Sequence, residues 1–140
     1  MPAVLPTSSK SLVLEQFIIG TRTFTYHLYT AIEPALSTST TLGHLTEVSG
    51  DATYAPQDVA YTVWNHTTSG TLARATTGEA NKVVFHLTDA ADILGYYVTW
   101  NDGTDDHLIL VVQYEAAIPQ ANDSDHGINA SLDFGALSYS

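Results

Sequence analysis

The sequence predicts a mainly β chain: an antiparallel β-sandwich or jelly-roll-like single domain with a short N-terminal helix or arm. Three observations lead there. Apolar and polar residues alternate with a period of two in short runs from residue 23 onward. Turn chemistry separates those runs, at Thr68-Ser69-Gly70, Thr77-Gly78-Glu79 and Asn101-Asp102-Gly103. With 140 residues, 44% of them hydrophobic and 14% charged, the chain can bury a proper core and lies far from the composition of disordered proteins.

Taken in order, Met1 to Ser9 bears Pro and Ser and is expected to be an extended arm, ordered when a partner holds it. Ser11 is then placed to cap a short helix in which Leu14, Phe17 and Ile18 share a face and which Gly20 ends; an initial strand is the alternative. Along Thr23-Phe24-Thr25-Tyr26-His27-Leu28-Tyr29-Thr30, Phe24, Tyr26 and Leu28 fall on one face and Thr23, Thr25 and His27 on the other, a half-buried strand. Ala31 to Tyr54, rich in Ser, Thr and Gly, is expected to be a long surface excursion with at most a short element around Leu42 to Val48. Further strands are predicted at Val59 to Trp64, Leu72 to Thr76, Val83 to Thr88, Ile93 to Asn101, Leu108 to Tyr114 and Ile128 to Leu137. Asp102-Gly103 between Tyr96-Tyr97-Val98-Thr99-Trp100 and Leu108-Ile109-Leu110-Val111-Val112 is the clearest hairpin signal and predicts two paired antiparallel strands. The division expected is an arm and short helix over 1–20 and a β-sandwich over 21–140.

Charge narrows the classes of partner. Fifteen Asp and Glu against four Lys and Arg give a net charge of −11. The cations Lys10, Arg22, Arg74 and Lys82 are scattered along the sequence, so nucleic acid is not an expected partner. An acidic surface favours solubility and matches a basic patch on a protein. The absence of Cys removes disulfides, thiolate metal sites and thiol nucleophiles. The apolar run from Leu12 to Ile19 is broken by Glu15 and Gln16 and is far shorter than a membrane span, and no basic n-region leads into a cleavage site. Neither a signal peptide nor a membrane anchor is expected. The triplets at Asn65, Asn122 and Asn129 would accept glycans only in a secreted eukaryotic protein.

Candidate chemistry is sparse. Asp105-Asp106-His107 and Asn122-Asp123-Ser124-Asp125-His126-Gly127 invite a metal reading, and the second alternates oxygen ligands as calcium loops do. It lacks the downstream bidentate Glu, so a solvated acidic turn is the more economical reading. No His pair has the spacing that sets two imidazoles on one helical face; His27 and His86 alternate with apolar neighbours and are expected on an outer face. No G-x-S-x-G elbow and no Gly-rich phosphate loop occurs, and nothing singles out a carboxylate pair for glycoside cleavage. Tyr96, Tyr97, Trp100 and Tyr114 gather on the hairpin. Alternation sends Tyr96 and Tyr97 to opposite faces, which favours core or subunit-interface packing over a sugar platform. No catalytic, cofactor or metal residue is assigned.

An N-terminal apolar segment is followed by Leu28-Tyr29-Thr30, by Leu45-Thr46-Glu47 with Ser49-Gly50 and Tyr54-Ala55, and by Leu94-Gly95-Tyr96-Tyr97-Val98-Thr99 with a turn and another strand. In these segments the chain resembles small virion structural proteins of tailed bacteriophages, of the capsid decoration (cement) type. The Asn122 to Gly127 insertion and the Asp133-Phe134-Gly135-Ala136-Leu137 ending depart from that pattern. The resemblance implies a non-enzymatic protein made in the host cytoplasm and carried on the capsid exterior. It implies self-association, often as a homotrimer, and a clamp on neighbouring major capsid subunits. Under that reading the capsid-contact candidates are Pro2, Val4, Leu5 and Pro6 of the arm and Leu36, Leu42 and Leu45 of the excursion. The self-association candidates are Tyr96, Trp100 and Tyr114. The rival readings are a tail fibre or baseplate module that binds a host receptor or glycan and, ranked last, a hydrolase.

Overall fold

The structure, a computed structural model, describes residues 3–4, 6–134 and 138–139. In chain order the elements are β1 (Ala3–Val4), α1 (Thr7–Leu12), a π-helix (Val13–Ile19), β2 (Phe24–Ile32), β3 (Leu45–Glu47), β4 (Gln57–Val59), β5 (Asn65–Ser69), β6 (Leu72–Thr76), β7 (Val83–Leu87), β8 (Ala91–Asn101), β9 (Asp106–Gln120), β10 (Ser124–Ile128), β11 (Ser131–Phe134) and β12 (Ser138–Tyr139). Short 3₁₀ turns lie at Leu42–His44, Tyr61–Val63 and Glu79–Asn81. The chain is mainly β with antiparallel pairing and a short N-terminal helix, as expected. It gathers into two compact units, one of residues through Thr23, Ala60–Lys82 and residues from Ile128 onward, the other of Phe24–Val59 and Val83–Gly127.

In the first unit the helix lies on the sheet β11-β6-β5. Ala73 and Ala75 of β6 are fully buried, and their small side chains let the helix approach closely. Arg74 points to the other face and grips Asp133, directly opposite on β11, through two bonds of 2.7 and 3.1 Å. The helix departs from the expected form in three ways. It starts after Pro6 rather than at Ser11, so its first turn takes up the last three residues of the expected arm, while Ala3–Val4 pair with Ser138–Tyr139. From Val13 it winds as a π-helix, with the Gly20 amide donating to the Glu15 carbonyl at 2.9 Å. Wider winding brings Leu14 and Ile19, five residues apart, to the buried face and turns Phe17 outward, 69% exposed. The expected Leu14, Phe17 and Ile18 face assumed 3.6 residues per turn. Gly20, at φ 52°, ends the helix as expected, and the Arg22 guanidinium caps the carbonyls of Phe17 and Ile18 at 2.7 and 2.9 Å.

The second unit is sandwich-like. Its larger sheet runs β3-β2-β8-β9, with β4 also on β2, and faces the pair β7 and β10. Tyr54 stacks on Phe85 of β7 at 5.8 Å, and Tyr114 of β9 bonds His126 of β10 at 2.9 Å. Phe24, Tyr26 and Leu28 are buried as alternation predicts, but so is Tyr29 on the opposite face. Its ring crosses Gly95, where any Cβ would lie 2.9 Å from the Tyr29 hydroxyl and collide with the Val112 carbonyl. The predicted hairpin is β8 and β9, paired from Asn101 and Asp106 to Ala91 and Gln120. Its register shifts twice: Ile109 is one extra residue in β9, and Tyr114 to Ala117 face a single β8 residue, Leu94.

The strand expected at Val59 to Trp64 is instead the last residue of β4 and a 3₁₀ turn, and it stops just short of β5. Val59 and Trp64 are both buried, but three 3₁₀ residues separate them and break the alternation. The excursion from Ala31 to Tyr54 carries β3 within the window expected for a short element. Asp51 ties its end to the rim of the sheet. Its Oδ1 accepts from the amides of Thr53, Tyr54 and Thr88 at 3.0, 3.1 and 3.2 Å, and its Oδ2 from Asp89 at 2.8 Å. These bonds hold the Asp51 carboxyl well below the usual carboxylate range. Asp51→Ala is expected to speed amide hydrogen exchange at Thr88 and Asp89 while that at Tyr97 stays slow; unchanged exchange at all three would remove the staple.

Candidate functional site

The structure places the contact candidates in two groups. Pro2 and Leu5 lie outside the described residues; Val4 is in β1, and Pro6 is exposed at the start of α1. Leu36, Leu42 and Leu45 belong to the second unit. Leu36, 39% exposed, helps line a groove of about 460 Å³ with Ser37, Thr38 and Thr40 on one side and Leu108, Ile109, Leu110 and Val111 of β9 on the other. Leu42 and Leu45 are half-buried, Leu45 opposite Ile32 in the β2–β3 pair. The self-association candidates are all engaged within the chain. Tyr96 lies between Tyr26 and Tyr114 at centroid distances of 5.7 and 6.2 Å, and Trp100 stacks on His107 at 5.7 Å.

A polar cluster that alternation alone did not reveal crosses β3, β2 and β8. Register sets Glu47 opposite Tyr29, His27 opposite Tyr97 and Thr25 opposite Thr99, so Glu47, His27 and Thr99 step across one face. His27 Nδ1 donates to Glu47 Oε2 at 3.0 Å, and its Nε2 accepts from the Thr99 hydroxyl at 2.8 Å. Tyr54 and Tyr97 donate their hydroxyls to the same carboxylate at 2.8 and 3.2 Å. The Tyr97 ring lies parallel to the imidazole, 4.5 Å away. The outer-face expectation for His27 is therefore corrected: its side chain is only 14% exposed because Glu47, Thr99 and Tyr97 close around it. A carboxylate, imidazole and hydroxyl in this order have the connectivity of a hydrolytic triad. Thr99 is 4% exposed, which leaves a substrate carbonyl no approach to the hydroxyl. What the array does is satisfy every polar group it buries and fix the register of three strands.

Burial pushes the hydroxyls of Tyr54 and Tyr97 above the usual tyrosine range, with the Glu47 charge adding to both, and raises Tyr26 by burial and then by Tyr96. Tyr114 is pushed up to about 12 by burial and its Tyr96 neighbour. The unfolded chain releases these protons near pH 10.0 and the folded one holds them higher, so the folded state binds more protons between the two values. Stability is therefore expected to be fully present below about pH 10 and to fall as pH rises above it. A parallel urea series across that range, with tyrosinate absorbance recorded, checks this; a flat profile to pH 12 would contradict it.

Within the Asn122 to Gly127 segment, Asn122 and Asp123 form a solvated turn as expected, while the residues from Ser124 onward are built into the pair with β7. Ser124–Ile128 forms β10, and the Asn122 side-chain oxygen accepts from the Ala90 amide at 2.7 Å. Asp125 and Asp123 take the two ring nitrogens of His86, at 2.6 and 3.0 Å, and raise its pKa. His86 itself projects outward from β7 as alternation predicts. His126 is 7% exposed, gives its Nδ1 proton to Gln120 Oε1 at 3.1 Å and takes the Tyr114 hydroxyl on Nε2; burial pushes its pKa down. Among the described residues no group of three or more His, Cys, Asp or Glu is placed to hold a metal ion, and no helix is long and apolar enough to cross a membrane.

Charge is segregated to a degree the sequence order hides. The 15 acidic residues divide 12 and 3 between the units and the 4 Lys and Arg divide 0 and 4, so Phe24–Val59 with Val83–Gly127 carries −12 and the remainder +1. Cations scattered along the chain are gathered because three separate segments build the first unit. No family model matches the chain, and neither a curated protein nor a solved structure matches it.

Proposed function

We propose that this chain is a capsid decoration protein, a non-enzymatic component of the exterior of a tailed-phage virion that binds the major capsid lattice and associates with itself as a trimer. One observation carries the reading. The segments that resemble decoration proteins are scattered over more than half the sequence, yet they converge in one sheet. Leu28-Tyr29-Thr30 lies in β2, Leu45-Thr46-Glu47 is β3, and Leu94 to Thr99 lies in β8, all paired side by side. Tyr54 joins them through its bond to Glu47. A shared pattern that assembles into one packed body has a physical reason to travel together. The partners are then the major capsid protein and further copies of this chain, with neither nucleic acid nor a membrane involved.

Counting copies in purified virions tests the proposal. Decoration requires copy numbers comparable to the major capsid protein, whereas a few copies per particle would move the chain to the tail, where a receptor- or glycan-binding module belongs. Since α1 begins at Thr7 and Lys10 reaches the Thr71 carbonyl at 2.7 Å, a truncation that probes the arm must stop before the helix.

A further inference from the structure

We propose that the groove between Leu36–Thr40 and Leu108–Val111 is a docking site for an extended, Lys- or Arg-bearing segment of a partner protein. An uninterrupted apolar run such as Leu108-Ile109-Leu110-Val111-Val112 belongs to a strand covered on both faces. Here none of the five is buried, and Ile109 is 40% exposed. β9 is also the last strand of its sheet, with no strand on its outer side among the described residues. The run is thus short of the cover its composition calls for, and backbone groups along that edge favour an extended occupant.

Charge selects the occupant. The unit that holds the groove carries −12 and no Lys or Arg. Asp105, just before β9, and Asp106, its first residue, are separated from the apolar run by His107, and both are exposed. A second copy of this unit would itself carry a net −12, so like-charge repulsion opposes pairing between the two units. A segment that alternates apolar and basic side chains meets both requirements, its apolar groups between Leu36 and Ile109 and its cations toward the acidic strand end. The site goes beyond the decoration reading; where that reading holds, the segment belongs to the capsid lattice.

The test uses the full chain and a fluorescein-labelled ten-residue peptide of alternating Val and Lys, with a Val and Glu peptide as control, read by fluorescence anisotropy. The Lys peptide is expected to bind and the Glu peptide not to. Ile109→Asp and, on the opposite wall, Leu36→Asp are each expected to weaken binding about tenfold or more. Both positions are exposed, so the variants should keep the parent melting temperature. The double variant Asp105→Asn with Asp106→Asn is expected to weaken binding mainly at low salt. Equal binding by the Ile109→Asp and Leu36→Asp variants would reduce the effect to adsorption on an acidic surface and overturn the proposal, as would no binding by the Lys peptide. Self-association in sedimentation that Ile109→Asp abolishes would also overturn it, in favour of a second copy. Absence of the chain from virions would refute decoration while leaving the peptide result in place, so the two failures are distinguishable.

Discussion

Gly95→Ala is expected to destabilise the protein by about 3 kcal/mol, at the upper end of overpacking effects, and to lower the melting temperature by roughly 10 °C. The added methyl has nowhere to go. It would collide with the Val112 carbonyl of the neighbouring strand, and the Tyr29 ring closes in as well, its hydroxyl 2.9 Å away and its edge 3.0 Å. Tyr29 is fully buried and its hydroxyl donates to that same carbonyl at 3.2 Å, so it cannot step aside without giving up a buried bond. Adding Tyr29→Phe should recover only part of the loss, because the backbone conflict remains. Thermal unfolding followed by circular dichroism reads both variants, and an unchanged midpoint for Gly95→Ala would mean that β8 and β9 separate there at little cost.

Glu47→Ala is expected to cost about 3 kcal/mol, because one carboxylate serves three donors and each donor left unpaired in a buried setting costs about 1–3 kcal/mol. The sum is discounted because the Glu47 side chain is 30% exposed, which lets water replace part of what is lost. Glu47→Gln retains one acceptor oxygen and should fall between the parent and the alanine variant. Urea unfolding with unchanged slope gives the ordering. Equal stability of all three proteins would show that His27, Tyr54 and Tyr97 find water as readily as the carboxylate.

What the sequence made legible follows the range of the interactions involved. The β8–β9 pair could be read because its signals are local: a β-rich run, Asp102-Gly103, and another β-rich run. β5 could not, since Asn65-His66-Thr67-Thr68-Ser69 has no apolar alternation and is a strand because β6 pairs with it along its full length. The π-helix escaped because a period of 3.6 was assumed where five-residue closure governs. The Glu47, His27 and Thr99 cluster joins residues 20 and 72 positions apart, which only register brings together. The groove was half visible: Leu36 stood out in the long excursion, but its opposite wall lay in a hairpin read as self-association surface.

The two register shifts in β9 leave only Leu110 to Gln113 in unbroken alignment between them, four residues or about 14 Å of regular edge. Fibril growth needs a template whose hydrogen-bonding rhythm continues from one added chain to the next. An irregular edge of this kind offers a short foothold and then falls out of step. Many copies crowded side by side can therefore expose an apolar strand without seeding one another into cross-β polymers.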